Sequence, residues 1–149
     1  MSNEPILLRC PSCRTLNRIP EEKLKSHPVC GQCKTPLAFP DKPLSVTTAN
    51  FDQEVRDWPE FMLVEFWAKW CGYCRMVEPL VNDLASWRAG RLKVLRVDID
   101  VEPALGQRFT IKATPTFILY RGGRQLARMD GAPKEKLELI QWVDRFVKG

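Results

Sequence analysis

The chain of 149 residues is short of several things, and each shortage removes a class of function. No apolar run approaches the roughly 20 residues that a membrane-crossing helix needs, so the chain is not expected to span a membrane. The start, MSNEPILLRCPSC, lacks the basic residues, apolar core and small-residue cleavage site of a secretory leader, which makes the reducing cytoplasm the expected location. There is no glycine-rich nucleotide motif, no internal repeat and no low-complexity tract. Residues 1–43 hold only one of the fourteen aromatic residues, Phe39, and none of the five tryptophans, but seven of the twelve prolines. A segment of that size with so few large apolar side chains cannot offset its own chain entropy and needs a staple such as a metal.

Histidine is scarce as well, with His27 alone, and that directs attention to sulfur. The six cysteines form three CxxC pairs: Cys10 and Cys13, Cys30 and Cys33, Cys71 and Cys74. Sixteen residues separate the first two pairs, within the spacing of a four-cysteine zinc site. Two redox dithiols or two structural disulfides are the competing readings, disfavoured by a cytoplasmic address. Four thiolates complete a structural zinc site by themselves, leaving His27 to a solvated loop. One Zn²⁺ on Cys10, Cys13, Cys30 and Cys33 carries a net −2, so the formal charge of +5, from 23 basic and 18 acidic residues, becomes about +3. No basic stripe then remains to argue for nucleic acid, although a zinc ribbon on DNA or RNA stays formally open.

The composition, 44% hydrophobic and 28% charged, is that of a soluble globular protein of one domain or one domain with a small modifier. The proline-rich stretch Thr35 to Pro43 reads as a linker, giving a cysteine module over 1–43 and a second domain over 44–149. In the second domain the pattern alternates. Leu44 to Val46 is a short strand, Asn50 caps a helix running toward Asp57, Phe61 to Trp67 is a buried strand, Cys71 to Trp87 a helix and Leu92 to Ile99 a strand. A short helix near Pro103 to Arg108 follows. Thr116 to Tyr120 and Gln125 to Met129 flank a Gly-Gly turn and read as a hairpin. Pro133 opens a last helix with Leu139, Trp142, Val143 and Phe146 on one face. The order βαβαβαββα predicts an α/β fold with a mixed central sheet.

The third CxxC follows a buried strand and opens a helix. Free amides and the positive end of the helix dipole favour an anion there, making Cys71 the candidate nucleophile. Cys74, one turn further in, is the candidate resolving thiol. A third structural or metal-binding pair is the alternative.

The run Phe66-Trp67-Ala68-Lys69-Trp70-Cys71-Gly72-Tyr73-Cys74 resembles the thioredoxin active-site segment FWAxWCGPC, with Pro79 five residues beyond Cys74 as in that family. Thr114-Pro115-Thr116 resembles its cis-proline segment, Tyr120-Arg121-Gly122-Gly123 its hairpin and Gly131-Ala132 its late substrate-side glycine. The N-terminal CPSCRTLNRIP and CGQC resemble the zinc module of the two-domain bacterial thioredoxins of the thioredoxin 2 type. The resemblance implies a thioredoxin fold with helices flanking the mixed sheet, preceded by a small zinc-ribbon-like module. It further implies a protein-disulfide reductase acting as a monomer on disulfide-containing protein substrates and recharged by an NADPH-linked thioredoxin reductase. Trp70, Gly72, Tyr73, Thr114, Pro115 and Gly131 would form the substrate surface, Trp70 being equally readable as a packing aromatic. A disulfide oxidant or isomerase, or a zinc-ribbon interaction module or redox-gated holdase, are the rival readings.

Two departures from the family stand out. Where the family has an aspartate that exchanges a proton with the resolving cysteine through water, this chain has Glu65, and the matching lysine is Arg96. The strand around Glu65 is apolar on both faces, so its carboxyl is expected to be buried, with its pKa raised by desolvation and partly lowered by Arg96. The alternative is an ion pair with only a structural role. Tyr73 replaces the usual proline, adding a backbone N–H near Cys71 that favours the thiolate and predicts a less reducing dithiol. Finally, zinc thiolates beside a redox dithiol suggest that oxidation releases the metal and alters activity.

Overall fold

Strands buried on both faces are continuous apolar runs, and two such runs organise this molecule. A computed structural model describes residues 4–147. In chain order the elements are β1 (Ile6–Arg9), β2 (Leu16–Ile19), β3 (Leu44–Ser45), α1 (Phe51–Asp57), β4 (Phe61–Trp67), α2 (Gly72–Trp87), β5 (Leu92–Asp98), α3 (Pro103–Arg108), β6 (Thr116–Arg121), β7 (Arg124–Asp130) and α4 (Lys136–Asp144). The main sheet has the order β3-β5-β4-β6-β7, with β3, β5 and β4 parallel and β6 and β7 antiparallel to their neighbours. β1 and β2 form a separate antiparallel pair.

Alternation along β4 divides the core between the two faces of the sheet. Met62, Val64 and Phe66 pack with Leu95, Val97, Phe51, Val55 and Leu105 under α1 and α3. Phe61 and Leu63 pack on the other face with Leu92, Val94, Val77, Val81, Leu84, Leu139 and Val143 under α2 and α4. Glu65 belongs to the α2 face by the same parity, directly across from Arg96 on β5.

The N-terminal segment packs against the first of these clusters. Leu8, Cys10, Ile19, Cys30 and Leu37 join Trp58 and Met62 in it. The polar contacts lie where β4 and β5 begin: the Leu7 amide donates to Glu60 Oε2 at 2.7 Å, and Arg14 pairs with Asp57 at the end of α1. β4 ends at Trp67, just before Cys71, and seven strand residues put the two poles about 20 Å apart.

Asn50 is the N-cap residue of α1 as expected, but its side chain caps no helix amide; its Oδ1 accepts from the Thr47 amide at 2.8 Å and closes the preceding turn. Two boundaries differ more from the sequence reading. Pro133 does not open α4, which starts at Lys136 with Glu135 extended before it. β3 stops at Ser45, although the Val46 amide still donates to the Arg96 carbonyl at 3.0 Å. The Gly122-Gly123 turn has φ values of 57° and 82°, the doubly positive pair of a tight hairpin.

Candidate active site and metal centre

Cys71 is the N-cap of α2, extended at φ −84° and ψ 111°, and its Sγ accepts the Cys74 amide at 3.1 Å. The thiol also meets the Thr114 carbonyl at 3.3 Å, across from the helix, where the Thr114–Pro115 peptide is cis. Burial opposes ionisation of Cys71. The side chains of Cys74 and Thr114 and the amides of Cys74 and Tyr73 outweigh it, and the thiol lies below its ordinary value. Cys74 is 1% exposed; burial, the neighbouring Cys71 and the charge of Glu65 push its thiol up to about 12. One sulfur is therefore set up to ionise and the other to keep its proton.

Beneath them Glu65 is fully buried, and desolvation pushes its carboxyl up to about 6 against the lowering effect of Arg96. Arg96 Nε donates to Glu65 Oε1 at 2.9 Å, its Nη1 lies 3.4 Å from Glu78 Oε1, and its guanidinium stacks 4.2 Å from the Trp67 ring. Glu65 Oε2 has no partner among the described residues, which leaves that oxygen open to a water or a mobile proton.

A groove of about 530 Å³ runs beside the dithiol, lined by Tyr73, Met76, Thr114, Gly131, Pro133 and Lys134 among others. It brings together three segments that are distant in the chain. Gly131 sits at φ 82° with open space where a Cβ would be, so the position needs glycine for its backbone and leaves a partner chain room to approach. Pro115 is buried behind this surface, and Gly72 is exposed at the first turn of α2. Trp70, 65% exposed, lies outside the groove lining. The sequence reading missed Met76, Pro133 and Lys134 among the lining residues; for Met76 its place three residues after Tyr73, on the same helix face, was the available signal.

At the other pole, the Sγ atoms of Cys10, Cys13, Cys30 and Cys33 all lie within 4.8 Å of one another. Cys10 to Cys33 and Cys13 to Cys30 are each 3.6 Å. A tetrahedron with Zn–S bonds of about 2.3 Å has edges of about 3.8 Å, so the donor set fits zinc. The two turns are built alike. Cys10 and Cys30 receive the amides of Arg14 and Lys34 and give their own to Thr15 and Thr35, with Arg14 and Lys34 at φ 69° and 65°. Thr15 and Thr35 hydroxyls lie 3.1 Å from Cys13 and Cys33 Sγ, where they can donate to thiolates. The shared Cys-x-x-Cys-basic-Thr pattern was a short repeat present in the sequence and not recognised there. His27 is exposed and outside the cluster.

Comparison with known proteins agrees with this geometry. The thioredoxin family model matches residues 42–145, and the model for the zinc ribbon at the N-terminus of thioredoxin 2 matches residues 9–35. Thioredoxin C-3 of Corynebacterium nephridii is 34% identical over 140 residues, 94% of each chain. Thioredoxin 1 of a Nostoc species is 41% identical over 93 residues, 62% of this chain and 87% of that one. Among solved structures, a mutant thioredoxin from Halobacterium salinarum superposes with a TM-score of 0.67 at 29% identity, covering 76% of this chain and 97% of its own. The cysteine-capped helix facing a cis-proline, on a five-stranded mixed sheet and behind a four-cysteine ribbon, thus belongs to a member of the thioredoxin family, a thiol–disulfide oxidoreductase with the N-terminal ribbon of the thioredoxin 2 type.

Proposed function

We propose that the chain is a protein-disulfide reductase in which Cys71 attacks and Cys74 resolves. The Cys71 thiolate bonds to one sulfur of a substrate disulfide and expels the other as a thiolate, which takes up a proton. Cys74 then loses its proton and attacks Cys71 Sγ, expelling the second substrate thiolate. Two electrons pass to the substrate, and the Cys71–Cys74 disulfide remains. The opposite displacement of the two thiols carries this reading: the entering sulfur is activated, and the resolving one is held back until a base reaches its proton. Glu65, buried with a free oxygen and with its carboxyl raised to about 6, supplies that base through water.

Tyr73, Met76, Thr114, Pro115 and Gly131, with exposed Trp70 and Gly72 beside them, receive the extended substrate segment. Cys10, Cys13, Cys30 and Cys33 hold one zinc ion, which when bound would tie the two cysteine turns into one unit. The module over 1–43 ends at Pro43, and the catalytic domain follows. The chain works as a cytoplasmic monomer, recharged by a thioredoxin reductase. A relative from Mycobacterium leprae, matched over 98 residues at 38% identity and over 21% of its length, is named a bifunctional thioredoxin reductase/thioredoxin, which supports that electron source.

The test is reduction of insulin disulfides with dithiothreitol as donor. Cys71→Ser should abolish turnover, and Cys74→Ser should accumulate a mixed disulfide on Cys71. Turnover that survives Cys71→Ser refutes the assignment. Counting metal and thiols on the reduced protein should give one zinc and two titratable thiols. Glu65→Gln should slow resolution of the mixed disulfide, whereas rates unchanged from neutral to mildly alkaline pH would leave the Glu65–Arg96 pair a structural role only.

A further inference from the structure

The groove beside the dithiol has a charged rim that thiol–disulfide exchange does not itself require. Lys134 lines the groove. Lys112 is exposed two residues before Thr114, whose carbonyl meets Cys71. On the other side of Cys71, Arg75 is exposed and anchored by donating to the Lys69 carbonyl at 2.7 Å, and Lys69 is itself exposed. None of these four cations forms an ion pair among the described residues.

The acids nearby are mostly engaged elsewhere. Asp130 is held by Arg128 at 2.9 Å, Asp98 accepts the amides of Asp100 and Val101, and Glu102 accepts the amide of Thr48. Asp98 and Glu102 keep their charge, but among the described residues no acidic side chain lines the groove, whose one charged lining residue is Lys134. The groove floor supplies the apolar part, with Tyr73 62% and Met76 43% exposed.

We propose that this rim makes the groove selective for protein disulfides flanked by aspartate or glutamate, the acidic side chains lying against Lys112, Lys134 and Arg75 while the disulfide rests on Tyr73 and Met76. The proposal rests on the reductase reading. Its physical basis is charge complementarity: unpaired rim charges speed encounter with a segment of opposite sign and repel one of like sign. The same field favours the thiolate that leaves when Cys71 attacks.

The experiment compares two peptides with one and the same disulfide, flanked by Asp in one and by Lys in the other, with dithiothreitol as donor. At low salt kcat/KM should favour the acidic peptide by about fivefold or more, the factor that one close charge pair in water gives. The preference should collapse near 1 M salt, where screening acts within about 3 Å. Lys112→Glu with Lys134→Glu should invert the ratio of the two peptides, and Lys134→Gln should reduce it. Equal kcat/KM for both peptides in the native protein, or a preference insensitive to salt and to these substitutions, overturns the proposal. Insulin reduction in the same assay separates the two levels: failure to reduce insulin refutes the reductase reading, while insulin reduction without peptide discrimination refutes only the selectivity.

Discussion

Glu65 is a fully buried carboxyl, so the proton-relay role proposed for it and the stability of the fold depend on the same desolvation. Its folded-state pKa of about 6 stands above the ordinary 4.5. Below about pH 4.5 both folded and unfolded chains hold the proton, and burial of the neutral acid carries no ionic cost. As pH rises through 6 the folded state must ionise a desolvated group, and about 2 kcal/mol of stability is lost. Relative to the native protein, Glu65→Gln should therefore gain about 2 kcal/mol between pH 4 and pH 8, read from denaturant unfolding of the reduced forms. A difference that stays flat with pH would contradict it. Tyr73 sets the other balance, through a backbone N–H that lowers the Cys71 thiol. Tyr73→Pro removes that donor and should shift the dithiol potential downward, toward about −270 mV, with about 30 mV for each 1.4 kcal/mol of thiolate stabilisation removed. Both the aromatic ring at 73 and its amide beside the sulfur were legible in the sequence, because Tyr73 lies between the two cysteines at the helix start.

Secondary-structure elements explain why the sequence was so readable in places and not in others. β4 is a dense apolar run, β5 interleaves apolar with charged residues, and α2 carries its apolar stripe over four turns, so pattern alone located them. Pro133 was misread, and Asn50 was placed correctly at the start of α1 but with the wrong bond, because turn-forming residues signal an end of regular structure without stating which group they satisfy: Asn50 closes a turn before α1, and Pro133 lines the groove. The turn between α2 and β5 shows a constraint that no pattern reveals. Gly90 sits at φ 92°, and a Cβ there would lie 3.3–3.4 Å from Leu24, Ile6 and Phe39, all from the N-terminal segment. Gly90→Ala combines an unfavourable backbone conformation with that crowding and should cost about 2 kcal/mol, read as a lowered Tm. A Tm equal to that of the native protein would show that the N-terminal segment yields freely at this contact.

At the scale of the molecule, the two sulfur centres occupy opposite poles of β4. The ribbon contributes Leu8, Ile19 and Leu37 to the same apolar cluster as Trp58 and Met62, so removing the zinc proposed for its four cysteines would remove support from the main core. Extraction of zinc by a strong chelator should lower Tm by several degrees and leave insulin reduction at 25 °C nearly unchanged. Loss of turnover well below the new Tm would instead show coupling between the poles. Oxidative release of zinc would alter activity by this route, through stability rather than through the dithiol. Charge has a similar lesson. The formal +5 suggested no partner when counted along the chain, whereas the fold leaves Lys69, Arg75 and Lys112 exposed in the segments that carry Cys71, Cys74 and Thr114 and sets Lys134 in the groove lining.

The sequence by itself determined the family, because three CxxC pairs with their flanking residues set two like-spaced turns apart from one at a helix start, and dense apolar runs dictate buried strands. It could also place a carboxylate inside β4. The tertiary structure alone decided what those groups meet: Thr114 against Cys71, Arg96 shared by Glu65 and Glu78, and the ribbon against the far end of the sheet. Spacing and periodicity describe neighbours within a few residues, while these contacts join residues 18 to 53 positions apart, and only the packing of the sheet brings them within bonding distance.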